Sequence, residues 1–283
     1  MTAGPPFGPG DADRAWERIE LSRHPDRPYS LDLIGRCLDD FTELHGDRQG
    51  GDDPAIVIGL ARLQARPVAV VANQKGRSLE ERGRRNFGMA HPEGYRKAQR
   101  LFRLAGRLRL PVLSFIDIPG AYPGVAAEER GQAWAIAQTI EAQLTLPTPY
   151  VAVVVGEGGS GGALATLLAD RVLVMEHAFL TVASPETAAA ILFRDAGRKR
   201  HAAAALRLEA ANLVTWGIAD EVIPEPPGGA HLNWDAAARL LRPRLVHHLD
   251  ELVAQGVDAA RRRERYRRID GLAAVPEGSG SGH

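Results

Sequence analysis

Seven residues, Gly156-Glu157-Gly158-Gly159-Ser160-Gly161-Gly162, hold most of the chemical information in this sequence. They follow an apolar run over 151–155 and precede the helix-forming stretch ALATLLA. Glycine lets a ligand approach the backbone closely, so Gly158 and Gly159 are candidate substrate contacts. Free N–H groups at a helix start attract negative charge, so the segment is suited to an anion or a developing oxyanion. Several chemistries match it. Gly156, Gly158 and Gly161 satisfy G-x-G-x-x-G, with Glu176 at the end of the next strand, as in a dinucleotide fold. Gly158 to Gly162 satisfy G-x-S-x-G, with Asp220 and His231 following in α/β-hydrolase order. Gly161 and Gly162 can instead donate backbone N–H groups as an oxyanion hole that needs no side-chain nucleophile. A phosphate-binding P-loop is excluded, because no Gly-Lys-Ser/Thr follows. A plain tight turn built from small residues also fits, and spacing alone does not choose.

A second small-residue loop, PGAYPG, follows the apolar run PVLSFID. Gly120 and Ala121 read as active-site wall, or as a β-turn with Pro119. Tyr122 can pack on a ligand or in the core. A basic segment contains Lys75, Arg77, Arg82, Arg84 and Arg85. Lys75 and Arg85 are candidates for a carboxylate or a phosphate, although such a loop can equally be solvated or interfacial. Glu157 can position the glycine segment or favour the helix start. His247 and His248, adjacent on a helical stretch, point different ways and read as surface residues.

The elements that position these residues follow from periodicity. Residues 1–15 are rich in Gly and Pro and read as a disordered tail, and the tail over 272–283 as a linker or an expression remnant. Residues 16–271 read as one domain. A helical arm comes first, with Ser30 capping a helix through Leu33, Ile34, Leu38 and Phe41. Apolar runs over 55–63 and 67–73 form a hairpin. A helix over 93–109 puts Ala98, Leu101, Phe102, Ala105 and Leu108 on one face. Strand, small-residue loop and helix then recur: PVLSFID with a helix over 128–144, PYVAVVV with ALATLLA, and RVLVMEHAFLTVAS with PETAAAILF. That recurrence predicts stacked strand–helix turns in one α/β unit. A helix over 202–216, the strand ADEVIPEP and a helix over 235–253 follow, and RRRERYRR reads as a solvated or subunit-contacting helix end.

Composition narrows the class. The 283 residues carry 35 basic and 35 acidic side chains, for a net charge of zero. That balance indicates no nucleic-acid or membrane partner. Cys37 is the one cysteine, so no intrachain disulfide and no cysteine-based zinc site is expected, and no metal site is assigned. The chain shows no secretory h-region and no apolar run long enough to span a bilayer, which leads to a cytoplasmic expectation. None of its three lysines sits in a Met-Lys-Met context, so it does not look like a biotin carrier.

The blocks RPVAVVANQKGR, RRNFGMAHPEGYRKA, FIDIPGAYPGVAAEERGQ, GEGGSGGALA, SPE and IPEPPGGAH occur in order, after RHPDRPYSLD and FTELHGDR. Together they resemble the α subunit of bacterial acetyl-CoA carboxylase carboxyltransferase, a likeness covering most of the chain. The resemblance implies a crotonase-like α/β spiral of strand-strand-helix turns. It implies transfer of CO2 from carboxybiotin to acetyl-CoA, giving malonyl-CoA for fatty-acid synthesis. It implies a zinc-ribbon β subunit in an α2β2 assembly, a separate biotin carboxyl carrier protein, and a biotin carboxylase that consumes the ATP. Gly161 and Gly162 would then donate to the biotin ureido oxygen as CO2 leaves. The chain departs from the family pattern at Thr187-Ala188, where Gly-Cys is usual, at Ala126, in a shorter N-terminal helical region and beyond Arg194. These departures bear on the acyl-CoA taken; a subunit for another acyl-CoA and a non-catalytic scaffolding subunit are the alternatives.

Overall fold

The computed structural model describes residues 10–272. Helix α1 (Asp11–Ser22) opens it and buries Ala15, Trp16 and Ile19 against Phe179, Ala203 and Leu208. The expected structureless stretch is therefore wrong over 11–15, because the apolar face of α1 has a partner late in the chain. Residues 1–9 and 273–283, where most of the two expected tails fall, lie outside the described residues.

Helix α2 (Ser30–Cys37) is shorter than expected, and Ser30 does not cap it. Asp32 accepts the Tyr29 N–H at 2.8 Å instead, while Ser30 points inward to the Phe115 carbonyl. Phe41 belongs to β1 (Asp39–Leu44), where its ring lies over Gly59 of β2 (Ile56–Leu63). A Cβ on Gly59 would come within 2.4 Å of that ring, so the strand needs a glycine there. β3 (Arg66–Asn73) pairs antiparallel with β2 from Leu63↔Arg66 onward, the hairpin read from the sequence.

Helix α3 (Leu79–Arg84) is capped by the Ser78 hydroxyl, and α4 (Pro92–Leu108) buries Tyr95, Ala98, Leu101, Phe102 and Ala105. These positions recur every three or four residues, which is the helical period. β4 (Val112–Ile118) and β5 (Tyr150–Gly159) are buried at every residue. Such near-continuous apolar runs mark parallel strands covered on both faces. The single helix expected between them is two, α5 (Val125–Glu129) and α6 (Gln132–Leu144), divided where Gly131 adopts φ +81°.

Beyond β5, α7 (Ser160–Leu164) starts earlier and stops sooner than ALATLLA suggested. β6 (Arg171–Met175) and β7 (Phe179–Thr181) replace one expected strand, with α8 (Pro185–Phe193) behind them. The helix expected over 202–216 is also two, α9 (Lys199–Leu206) and α10 (Ala210–Thr215), broken where Arg207 takes φ +49°. β8 (Glu221–Ile223), α11 (Trp234–Gln255) and α12 (Ala259–Leu272) complete the fold.

The eight-stranded sheet runs β1-β2-β3-β4-β5-β6-β8 and is parallel from β3 onward. β7 leaves this path to pair with the end of β5 at Glu157, Gly158 and Gly159.

Two surface expectations are overturned. His248 is buried, with Nε2 2.6 Å from a Glu221 oxygen, although His247 is exposed. In RRRERYRR, Arg262 is only 1% exposed. Its guanidinium donates to both Asp170 oxygens and to the carbonyls of Gln143, Leu146 and Thr148, at 2.6–2.9 Å. Within a run read as solvated or subunit-contacting, Arg262 is thus a buried clamp that docks α12 on the carbonyls of the turn before β5.

Candidate active site

The C-terminal ends of β3, β4 and β5 lie side by side, and the residues singled out from sequence leave the sheet there. The glycine segment is not one loop. Gly156 to Gly159 continue β5, and only at Ser160, with φ +53°, does the chain turn into α7. Gly158 packs on Leu180 of β7, where an added Cβ would lie 2.2 Å from the leucine side chain. Gly159 meets the Pro119 carbonyl, 2.0 Å from an ideal Cβ. Gly162 faces the other small-residue loop, with an ideal Cβ 2.7 Å from the Ala121 nitrogen and 2.9 Å from the Gly120 carbonyl carbon. The two loops are therefore in backbone contact, and glycine at 159 and 162 is what allows it. Gly161 is different. An ideal Cβ on it would meet only Ile136 Cγ2, at 3.8 Å, so this half-buried glycine has room where a side chain would stand. The N–H groups of the first turn of α7 have no acceptor within the helix.

Gly120 and Ala121 are half-buried in this wall, and Tyr122 beside them is held in place. Its N–H donates to Ala90 O, its carbonyl accepts from Gln132, and its ring stacks on His91 at 4.1 Å.

A buried charge network lies directly beneath. Lys75 Nζ is 2.8 Å from Asp117 Oδ1 and 2.7 Å from Glu157 Oε1. Asp117 Oδ1 also accepts the Glu157 N–H, and Gly156 leaves room for that carboxylate: an ideal Cβ would sit 2.3 Å from it. Arg23 joins Glu157 to Glu186 of α8, both at 2.9 Å. Burial pulls the Lys75 ammonium down, but Asp117 and Glu157 outweigh it and keep it firmly protonated. Burial pushes Asp117 up, and Lys75 offsets this only in part. Burial also opposes ionisation of Glu157, yet Lys75 and Arg23 hold its carboxyl below the usual range. Behind this network, Arg27 grips Glu225 through both guanidinium nitrogens and donates to the Val155 carbonyl at 2.8 Å.

Lys75, a candidate substrate contact from the sequence, instead holds two carboxylates between strands. Arg85 is also internal: it donates to Pro54 O and Glu81 rather than lining the loops. Arg77 is committed to Asp32 and the Pro25 carbonyl. Of the basic segment, Arg82 remains on a cavity of about 370 Å3 with Arg23, Lys75, Glu157, Ser22 and Phe87. Phe87 is half exposed in the left-handed region, an uncommon conformation for a bulky residue. Asp117, Arg23 and Glu186 were missed. Asp117 was findable, because an acid inside the otherwise apolar strand VLSFIDI requires a buried partner.

The rival readings of the glycine segment lose their geometry. Asp220 accepts Val172 N at 2.7 Å and binds Arg265 at the N-terminal end of the sheet, whereas Ser160 is exposed at the C-terminal end of β5. His231 stacks on His24 at 4.0 Å. No Ser-His-Asp relay connects these groups. A dinucleotide site fails as well, since Gly156 and Gly158 lie within a strand and Glu176 accepts the Glu225 N–H. Among the described residues, no group of three His, Cys, Asp or Glu side chains is placed to hold a metal ion, and no helix is long and apolar enough to cross a membrane.

Among solved structures, transcarboxylase 12S with methylmalonyl-coenzyme A and methylmalonic acid bound superposes with a TM-score of 0.67 at 21% identity. The match covers 91% of this chain and 47% of that one. A chain of a Pseudomonas malonate decarboxylase hetero-tetramer in complex with coenzyme A gives 0.64 at 19% identity, covering 79% and 92%. These likenesses show the fold, the crotonase-like α/β architecture expected from the sequence. An acetyl-coenzyme A carboxylase carboxyl transferase subunit alpha from Deinococcus radiodurans is 54% identical over 90% of this chain and 81% of its own length. The Thermus thermophilus protein of that name is 52% identical over 93% and 84%. A family model, acetyl co-enzyme A carboxylase carboxyltransferase-like, matches residues 13–272, and the chain belongs to that family.

Proposed function

We propose that the chain is the donor-side half of a carboxyltransferase, moving CO2 from carboxybiotin on a separate carrier protein to acetyl-CoA. The observation that carries this reading is the backbone contact between Gly162 and the Gly120–Ala121 loop, beside a half-buried Gly161 with room at its Cα, at the start of a helix whose first N–H groups lack helical acceptors. A site made of small residues and backbone donors fits a flat ureido group whose oxygen gains negative charge as the reaction proceeds. When bound, carboxybiotin supplies the CO2 and, once free of it, a nitrogen able to take the acetyl α-proton. The protein's own part is to hold the donors still. Preorganised N–H groups aimed where charge develops help most in the transition state. The Lys75–Asp117–Glu157–Arg23 network fixes the two strand ends from which both loops depart. The carboxylates beside the loops are thereby neutralised, so they do not repel a developing oxyanion.

A β-type partner completes the site in this reading. In its support, the matched unit makes up 47% of the transcarboxylase chain yet 92% of one malonate decarboxylase chain, so the same architecture occurs either fused to a second unit or as a separate subunit. The carrier protein and an ATP-consuming biotin carboxylase follow from the same reading. The test is the reverse reaction, malonyl-CoA plus a free biotin derivative giving acetyl-CoA, run with this chain alone and with the zinc-ribbon candidate partner. Activity only in the mixture supports the proposal. An assembled but inert mixture, with other acyl-CoAs equally inert, favours the scaffolding alternative.

A further inference from the structure

The arginines of α4 form a stripe. Arg96, Arg100, Arg103 and Arg107 follow one another at three- or four-residue spacing on one helical face. Arg48 joins them from the loop after β1, and together they line a cavity of about 830 Å3 between α4, α6 and the turn before β5. Arg96 is neutralised by Asp47 and Glu93. Among the described residues, Arg48, Arg103 and Arg107 have no ion-pair partner, and Arg100 donates only to the carbonyls of His45 and Gly46. Glu141 is the one other acid on the cavity wall, so four cations face one carboxylate. Arg100 is correspondingly held below the ordinary arginine value, by burial first and then by Arg48. A separate observation also points to a ligand. Gln99, only 3% exposed, lines the same cavity, and its Nε2 is a buried donor without a partner. Buried donors are ordinarily satisfied, so Gln99 carries an unmet amide donor at the wall of a cationic cavity.

We propose that this cavity is a binding site for a small polyphosphate-bearing anion. Guanidinium forks match phosphate oxygens bidentately. Arg100, Arg103 and Arg107 lie about one helical turn apart, some 5 Å, which suits successive charges on one molecule better than a single carboxylate. The volume falls within the range of about 300–1,000 Å3 usual for small-molecule sites. Its place argues for an effector rather than a substrate. Leu146 and Pro147 on its wall precede β5, and Arg107 precedes β4, so it lies at the N-terminal end of the parallel strands. The glycine pair leaves the opposite end of β5. The proposal does not depend on the carboxyltransferase reading.

Calorimetric titration of the full chain with inorganic tripolyphosphate, ATP, CoA and orthophosphate tests it. Saturable 1:1 binding of at least one polyphosphate, at least tenfold tighter than orthophosphate and weakening steeply with salt, is expected. Preference for ATP or CoA would identify an organic ligand, and equal binding of tripolyphosphate would identify the phosphate chain as the recognised part; either supports the site. The double variant Arg103→Glu, Arg107→Glu changes two exposed side chains and should weaken binding at least tenfold with an unchanged melting temperature. Gln99→Leu should weaken binding without loss of stability, since it removes an unsatisfied buried donor. Absence of saturable binding, or equal affinity in the charge-reversed variant, overturns the proposal.

Discussion

Exchanging each glycine of the pair for alanine separates loop contact from simple smallness. At Gly162 an added methyl group would stand 2.7 Å from the Ala121 nitrogen, where ordinary contact begins at 3.4 Å. Relief requires the Gly120–Ala121 loop and the start of α7 to part by about 0.7 Å, the difference of those distances. The obstacle is backbone, so no side-chain rotation removes it. A misplacement near 1 Å costs on the order of 100-fold in rate, and loss of one oxyanion donor about 100- to 1,000-fold. Gly162→Ala should therefore lower kcat of the reverse carboxyltransfer by roughly two orders of magnitude. Gly161→Ala puts its methyl 3.8 Å from Ile136 and keeps the backbone N–H, so kcat should stay within about threefold. Gly161→Val, with more bulk at the open edge, should block the site while assembly persists. The assay uses the chain mixed with its partner, with gel filtration confirming assembly of each variant. Equal kcat losses in the two alanine variants, or full activity in Gly162→Ala, would refute the argument that contact between the loops sets the donor geometry.

Other consequences concern the charges under and behind the site. Lys75→Met leaves Asp117 and Glu157 without their shared cation and should destabilise the fold by about 3–5 kcal/mol, read from urea midpoints. Arg262→Leu abandons Asp170 and three carbonyls, and should loosen α12, measured as faster amide exchange over 259–269 and a lower unfolding midpoint. Burial raises the Glu225 carboxyl, but Arg27 and two backbone N–H groups outweigh it and depress the folded pKa. Its stabilisation is therefore complete above the unfolded carboxylate value of about 4.3 and is lost as pH falls through the lower folded value. The stability gap between the natural protein and Glu225→Gln should accordingly narrow on acidification in that window. Ser160→Ala should retain activity within about threefold, since the oxyanion reading requires no nucleophile; a loss of two orders of magnitude would return a hydrolase-like role to Ser160.

Local elements were legible wherever hydrophobic period and turn residues agreed. The β2–β3 hairpin, the amphipathic α4 and the buried strands β4 and β5 follow from patterns spanning only a few residues. The order of the motif blocks likewise carried the family, and both small-residue loops were visible because glycine types announce close approach. Tertiary structure decided what those patterns do not encode. Gly158 and Gly159 became strand because β7 pairs with the end of β5, which no local signal requires. Phe41 left its expected helix because β2 offered it Gly59 to cover. Lys75 read as a ligand contact or a solvated charge, and His248 and Arg262 as surface side chains, because their partners, Asp117, Glu221 and Asp170, lie between 27 and 92 positions away. A charged side chain reads as solvated until the chain's return shows the group that neutralises it. Burial and pairing are properties of the fold, whereas periodicity and backbone permissiveness are properties of the residues.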